Sequence, residues 1–245
     1  MAGAKFERKE VKFLITEGQY KELMRAFPLR MSPDAYGKST IANIYYDTPD
    51  FRLVRRSLER PVYKEKFRIR SYGKAGKETP VFLELKKKYK GIVYKRRTCL
   101  PHYMAQRYMS GQDVAFLPGE EQIGREIDYF RRYYRPLLPA VYLCYDREAY
   151  FCKEDPDLRI TFDTNIRFRQ DALSLDKDYH GQQLLQKGER LMEIKAADAF
   201  PLWIVSLLSE FQIRQASFSK YGTAYTRIIQ EQDQQETLRS ILLAG

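Results

Sequence analysis

The sequence predicts an α+β fold: an eight-stranded antiparallel β-barrel, a tunnel with a basic lumen, flanked by inserted and C-terminal helices. Three observations predict it. The positive charge is concentrated, since Arg60 to Arg97 holds 14 Lys/Arg against 3 Asp/Glu, a net of +11, and the whole chain is also +11. A localised excess of this kind marks a polyanion site, where a dispersed one would mark only a solvated surface. The charges also alternate: in Lys64-Glu-Lys66-Phe-Arg68-Ile-Arg70 a cation recurs at every second position. On a strand these four side chains share one face, where they repel each other unless an anion lies over them. The third observation is a meander of strand candidates joined by short turns, with 19 Tyr and 14 Phe in 245 residues favouring β-structure. One strand with an alternating charged face is the ordinary wet side of a two-layer sheet. Five or more such strands point to a closed barrel that encloses water and anions.

The elements follow in order. Phe6–Ile15 reads as a strand. Thr16, with Gln19 three residues on, opens a helix through about Phe27. Ser39–Tyr46 is a strand ended by Asp47-Thr-Pro-Asp50, and Pro49 starts a short helix through about Ser57. Val62–Tyr72, Val81–Tyr89 and Ile92–Leu100 form hairpins around the Gly73–Pro80 and Lys90-Gly91 turns. Pro101 to about Ser110 and Ile123 to about Arg135 have helical apolar spacing. Ala140–Phe151, Leu158–Asp163 and Ile166–Gln170 return to strand. Asp171–Gly188 is polar and reads as a loop, Arg190–Lys195 as a strand, and Pro201 to about Phe211 as an amphipathic helix carrying Trp203. Ser219–Leu243 is helical with a break expected near Gln232–Gln235. Its apolar residues Ile228, Ile229, Leu238, Ile241, Leu242 and Leu243 are expected to pack on the barrel. No repeat or low-complexity linker interrupts the chain, so residues 1–245 read as one domain.

Several classes lose support. No run approaches the ~18 apolar residues of a membrane span, and the first ten residues carry no apolar signal region. Cys99, Cys144 and Cys152 lack metal-ligand spacing and read as reduced packing thiols of a cytoplasmic protein. His102 and His180 have no partner at ligand spacing and read as surface or capping residues. There is no Walker A sequence, GxGxxG or Ser-His-Asp arrangement. No helix-turn-helix, zinc-finger or RNP-type motif supports specific nucleic-acid binding. What remains is phosphate chemistry. Lys12, Lys86, Lys88, Lys95, Arg97, Arg147, Arg159 and Lys195 repeat the alternation on other strands. Arg suits phosphate as a planar bidentate donor and Lys as a point charge. Glu84 and Glu193, acids among cations, suit a hard cation such as Mg²⁺ or Mn²⁺ that also binds substrate phosphates.

Nine ordered segments carry a resemblance: Arg8-Lys-Glu-Val-Lys12-Phe, Ile44-Tyr-Tyr-Asp-Thr48, Phe67-Arg-Ile-Arg-Ser-Tyr-Gly73, Phe82-Leu-Glu-Leu-Lys86, Val93-Tyr-Lys95, Tyr145-Asp-Arg147, Arg159-Ile-Thr-Phe-Asp163, Met192-Glu-Ile-Lys195 and Phe218-Ser-Lys220-Tyr. In this order they resemble the vacuolar transporter chaperone (VTC) polyphosphate polymerase domain of the triphosphate tunnel metalloenzyme, or CYTH-like, superfamily. The resemblance implies an eight-stranded tunnel and a metal-dependent transfer of the γ-phosphate of ATP to phosphate or polyphosphate, with release of ADP. By resemblance, Arg68, Arg70, Lys86, Arg147, Arg159 and Glu193 are catalytic. Lys12, Lys95 and Lys220 bind substrate and Glu193 binds the metal on the same ground, while strand alternation adds Lys66, Lys88 and Lys195 as expected substrate-binding residues and Glu84 as an expected second ligand of Mn²⁺ or Mg²⁺. Arg8 replaces the first Glu of the wider superfamily's Glu-x-Glu-x-Lys pattern, as suits the VTC branch. Ser217 stands where that branch has a second Lys. The chain thus reads as a stand-alone catalytic domain of the bacterial kind, with any regulator or membrane-protein partner on another chain and the oligomeric state unspecified. A tunnel hydrolase and a non-catalytic polyphosphate- or RNA-binding module are the alternatives.

Overall fold

The computed structural model describes residues 9–35, 37–197 and 199–244, with side chains through 240 at the C-terminal end. In chain order the elements are β1 (Lys9–Thr16), α1 (Glu17–Ala26), β2 (Met31–Pro33), β3 (Ser39–Asp47), α2 (Arg52–Leu58), β4 (Tyr63–Tyr72), β5 (Pro80–Tyr89), β6 (Ile92–Pro101), α3 (His102–Met109), α4 (Glu121–Tyr133), β7 (Leu138–Cys152), β8 (Arg159–Arg169), β9 (Gln182–Gln183), β10 (Glu189–Ala196), α5 (Leu202–Glu210) and α6 (Lys220–Ala244). Phe6 and Arg8, expected in the first strand, lie outside the described residues. The Thr16 capping box forms as expected: the Gln19 amide donates to Thr16 Oγ1 at 3.2 Å and the Thr16 amide to Gln19 Oε1 at 2.9 Å. Such a cap stabilises a helix by about 1 kcal/mol.

Eight strands follow one antiparallel path, β1-β10-β8-β7-β3-β4-β5-β6, with β2 added on β7 and β9 on β8. The sheet curls into a tunnel, but the hydrogen-bond ladder does not close, because β1 and β6 end the path. The expected closed barrel is therefore approximate, and the reason lies in the segment before α6. Phe13 bridges to Gln215, and the Ala216 amide donates to the Lys12 carbonyl at 2.7 Å, so this segment occupies the free edge of β1. Side chains span the gap instead: Glu10 of β1 lies 3.9 Å from Lys86 of β5.

The two faces of the sheet separate sharply. On the convex face, Phe67, Ile69, Leu83 and Leu85 pack under Ala105 and Tyr108 of α3 and Ile127 and Phe130 of α4. A second convex cluster joins Phe13, Ile160, Phe162 and Ile194 to Leu23 of α1 and Ile204 of α5. The concave face is divided. Its β4–β5–β6 part is charged, whereas Ile41, Val141, Leu143, Ile166 and Leu191 are apolar and covered by Tyr221, Ala224 and Ile228 of α6. The register places both sets on one face, since Tyr45 opposes Arg68 and Val141 opposes Tyr45. The lumen is thus not charged throughout, as alternation in the basic strands alone suggests.

Other differences are local. The two strand pieces around 158–170 are one strand, β8, kinked where Asn165 has φ 50 and the register to β7 shifts between Cys144 and Asp146. Such a bulge bends a strand without ending it. The polar segment 171–188 contributes β9, and residues 31–33 contribute β2. Helix α6 runs unbroken through 232–235, because its three Gln are good helix formers and the one Asp233 costs a helix at most about 0.7 kcal/mol. Its first turns pack, but residues 232–240 are exposed, Leu238 at 60%, so the expected burial of the whole apolar set is corrected. The side chains of Ile241, Leu242 and Leu243 lie outside the description. His102 is buried at the start of α3 rather than on the surface. The three cysteines are free. Among the described residues no helix is long and apolar enough to cross a membrane.

Candidate active site

The period of two brings the basic strands' side chains onto the concave face in cross-strand rows. Lys66 opposes Lys86, which opposes Lys95; Arg68 opposes Glu84, which opposes Arg97. Lys64 opposes Lys88 directly. Like charges facing each other across a ladder destabilise it, so these rows need either buried acids or a bound anion.

One acid sits at the centre of this wall. Glu84 is 2% exposed, and its oxygens lie 2.8 Å from Arg68, 2.8 Å from Lys95, and 3.6 Å from both Arg70 and Arg97. Burial pushes its carboxyl up, but Arg68, Arg70 and Lys95 outweigh burial and hold it far below the usual carboxylate range. The arginines are oriented further: Arg68 Nη1 donates to the Tyr45 hydroxyl at 2.8 Å and Arg70 Nε to Asn43 Oδ1 at 3.1 Å. Asn43 is buried and donates in turn to the Leu143 carbonyl. The expected role of Glu84 as a metal ligand fits these contacts poorly, because its four cations are shared with no second carboxylate among the described residues.

A second ionic centre joins β1, β7, β8, β10 and α6. Arg147 donates to both oxygens of Asp163, at 2.6 and 2.7 Å. Lys220, the first residue of α6, lies 2.5 Å from Asp163 and 3.0 Å from Glu193. Glu193 also lies 3.6 Å from Arg147, 3.7 Å from Lys12 and 3.8 Å from Lys195. Burial opposes ionisation of both acids, yet Lys220 and Arg147 hold Asp163 low, and Lys220, Lys12 and Arg147 hold Glu193 low. Tyr145 underlies the cations, with Lys220 Nζ 4.6 Å and the Arg147 guanidinium 5.1 Å from its ring centre. Tyr221 stacks on Tyr45 at 4.5 Å and donates to buried Asp47 at 2.8 Å. That carboxylate also accepts the Leu53 and Val54 amides of α2, so one acid ties β3, α2 and α6 together.

Between these centres lies a cavity of about 270 Å³. It collects Lys12, Lys66, Arg68, Arg70, Lys86, Lys95, Arg147, Lys195 and Lys220, nine cations, against Glu10, Glu84 and Glu193. Burial, then the charges of Lys12, Lys64, Lys86 and Arg68, push the Lys66 amine down to about 7. Burial likewise lowers Lys95 and Lys195 despite their acidic neighbours. A second hollow, about 480 Å³, has mixed charges, and its Arg190 is paired with Glu17 at 2.8 Å. It is larger but has no convergent set, so size alone does not locate the chemistry.

Eleven of the residues expected at the site line the cavity. Arg159 and Lys88 do not. Arg159 is exposed and lies 2.6 Å from Asp34, and Lys88 is exposed beyond Lys86 on β5. Sequence reasoning missed Tyr45, Tyr145, Tyr221 and Ser219 as cavity residues, and Asp163 as the partner of Arg147 and Lys220. Glu10 and Asp163 stood in alternating positions that carried a signal, but the tyrosines resemble ordinary core residues.

A divalent cation held by the protein alone needs several converging oxygen donors. Among the described residues no three His, Cys, Asp or Glu converge. Glu193 and Glu10 face the same cavity closely enough to repel, and Glu10 lies 3.6 Å from Lys12 and 3.9 Å from both Lys86 and Lys195. This set fits Mg²⁺ or Mn²⁺ bound through one or two carboxylates, with substrate phosphates completing the coordination.

Comparison with known proteins places the chain. The VTC domain model matches residues 7–229. A candidate adenylate cyclase from Bacillus halodurans is 15% identical with a TM-score of 0.53, covering 86% of this chain and 95% of its own. A candidate adenylyl cyclase from Hippeastrum, described as having a dominant triphosphatase activity, is 16% identical with a TM-score of 0.49, covering 89% of this chain and 94% of its own. At such identity the first likeness shows the fold alone. No curated protein matches the chain.

Proposed function

The chain belongs to the VTC domain family, and we propose that it is a metal-dependent polyphosphate polymerase that transfers the γ-phosphate of ATP to phosphate or a growing polyphosphate chain. The observation that carries this reading is the cavity's composition, nine cations against three carboxylates. Lysines in it are already pushed down without a ligand. A polyanion relieves that strain and is held along the row Lys66, Lys86, Lys95.

Arg68 and Arg70 are fixed in direction by Glu84, Tyr45 and Asn43, so their donors are preorganised for charge on the transferring phosphoryl group. Preorganised donors are the main catalytic resource in phosphoryl transfer, which needs positioning and charge stabilisation more than covalent help. Arg147 and Lys220, locked on Asp163, present cations from the other side. Glu193 and Glu10 would hold the divalent cation, which supplies charge neutralisation on phosphate oxygens when bound. The attacking phosphate is largely ionised near neutral pH, its second pKa being about 6, so no general base is required.

Glu10 favours a second reading, a tunnel triphosphatase. Its carboxylate is 31% exposed within the cavity and is placed to orient a water molecule. The two readings separate in one sample. The protein is incubated with ATP and Mn²⁺ or Mg²⁺, and ADP and polymer are measured together. ADP with a matching amount of polymer supports the polymerase. ADP with free phosphate moves the assignment to the triphosphatase, and no turnover with either metal overturns both.

A further inference from the structure

The tunnel has two unlike mouths. Beyond Arg70 on β4 the next concave-face residue is Tyr72, and beyond Glu84 on β5 it is Phe82. The two rings meet edge to face at 5.7 Å and 80°. Arg97 of β6 lays its guanidinium 3.7 Å from the centre of the Phe82 ring and reaches the Tyr72 hydroxyl at 3.5 Å. Tyr72 is 48% exposed, so one side of its ring faces open space. Burial raises the Tyr72 hydroxyl, but Arg70 and Arg97 outweigh it and hold it below its ordinary value.

The opposite mouth presents Lys64 facing Lys88, eight residues or about 27 Å further along β4. Its exposed tyrosines, Tyr63, Tyr89 and Tyr94, fall on the convex face by the alternation of their strands. Among the described residues, only the Tyr72 mouth therefore offers exposed stacking surfaces on the face that also holds the phosphate-binding cations. Arg97 couples the two, because its Nε lies 3.6 Å from Glu84, the carboxylate that orients Arg68 and Arg70. Neither Tyr72 nor Arg97 lines the central cavity. The spacing also suits a nucleotide: Tyr72 follows Arg70 by two residues, about 7 Å along the strand, the room a ribose needs between a base and its phosphates.

We propose that Tyr72 and Arg97 form a nucleobase-stacking subsite, so that a nucleoside triphosphate binds with its base at this mouth and its γ-phosphate toward Lys66 and Lys86. Aromatic rings and Arg planes stack on any base without reading its edge. The subsite thus favours nucleotides over inorganic triphosphate while discriminating little among bases. This inference rests on the proposed phosphate-binding role of the cavity and adds the nucleoside half of the substrate.

The test is calorimetric titration of the full chain with ATP and, separately, with inorganic tripolyphosphate, both without divalent metal to prevent turnover. Tyr72→Ala should weaken ATP about tenfold, the scale of one lost base stack, and change tripolyphosphate less than twofold. Tyr72→Phe should keep ATP binding within about twofold, because the ring and not the hydroxyl stacks. Unchanged ATP affinity in Tyr72→Ala, or equal weakening of both ligands, overturns the subsite. Wild-type protein that binds tripolyphosphate but not ATP overturns the subsite and leaves the phosphate cavity standing. Binding of neither ligand overturns both.

Discussion

Glu84 and Glu193 lie toward the two ends of the sheet path, each nearly buried and each within 4 Å of four cations. Their surroundings differ in two ways. The partners of Glu84 all come from β4 and β6, the strands on either side of it, and no second carboxylate shares them. The partners of Glu193 come from β1, β7, β10 and α6, and they are shared with Asp163 and Glu10. One wall thus keeps a large cationic excess on a local frame, and the other is nearly neutral and assembled from distant segments. The lesson is a division of labour. In the proposed function the Glu84 wall receives the anion with oriented arginines, and the Glu193 centre, where three acids meet four cations, takes the divalent cation.

The sharpest way to break this comparison is to neutralise each acid. Glu193→Gln should lower metal-dependent turnover of ATP by about a thousandfold, the upper range for removal of one preorganised electrostatic group. Glu84→Gln should lower turnover less in the same assay, because Tyr45 and Asn43 still orient Arg68 and Arg70. It should also destabilise the fold by about 3 kcal/mol, since it leaves buried Arg70 and half-buried Arg68 without their shared acid, read as a fall in the thermal midpoint. Equal turnover losses in the two variants would erase the distinction between the walls.

A smaller effect concerns pH. Lys66 has an amine pushed down to about 7 in the free protein, by burial and then by its cationic neighbours. A bound polyanion raises that value again, so binding takes up a proton above pH 7. Tripolyphosphate affinity should be full at or below about pH 7 and fall as pH rises, by at most about tenfold per unit from this group. Lys66→Met should flatten that part of the curve, and an unchanged slope would remove Lys66 from the anion path. The linked effect on folding has the opposite sense. A lysine whose folded value lies below its unfolded 10.5 costs stability when charged. The cost is present in full below about pH 7 and disappears as pH rises toward 10.5, so the free protein should gain stability across that window.

The smallest expected effect tests how the Glu193 side is assembled. Asp47→Ala removes the acceptor shared by Tyr221 and the Leu53 and Val54 amides. It should destabilise the protein by about 2 kcal/mol, the scale of buried hydrogen bonds to a charged group, in denaturant melts. Because α6 carries Lys220, the loss should reach turnover only through that helix, and less than Glu193→Gln does.

Much of this was legible in the sequence. Period-two alternation from Lys64 to Arg70 placed the cations on one face, because strand geometry leaves no choice once the strand exists. Thr16 and Gln19 marked the start of α1 for an equally local reason, a reciprocal cap within one turn. The same alternation identified Glu84 and Glu193 as acids among cations. It did not say which neighbours would neutralise them.

The tertiary structure decided what depends on contacts between distant segments. Arg159 shares the alternation of Thr161 and Asp163, yet it turns to Asp34, a residue 125 positions away. The ladder stays open because Gln215 and Ala216 take the edge of β1. Tyr45, Tyr145 and Tyr221 became cavity walls only when α6 packed on the concave face. Local spacing by itself determined which side each strand residue faces and which residue types could meet phosphate. Long-range packing decided which of them share a cavity, because the free energy of a buried charge depends on partners that sequence distance does not reveal.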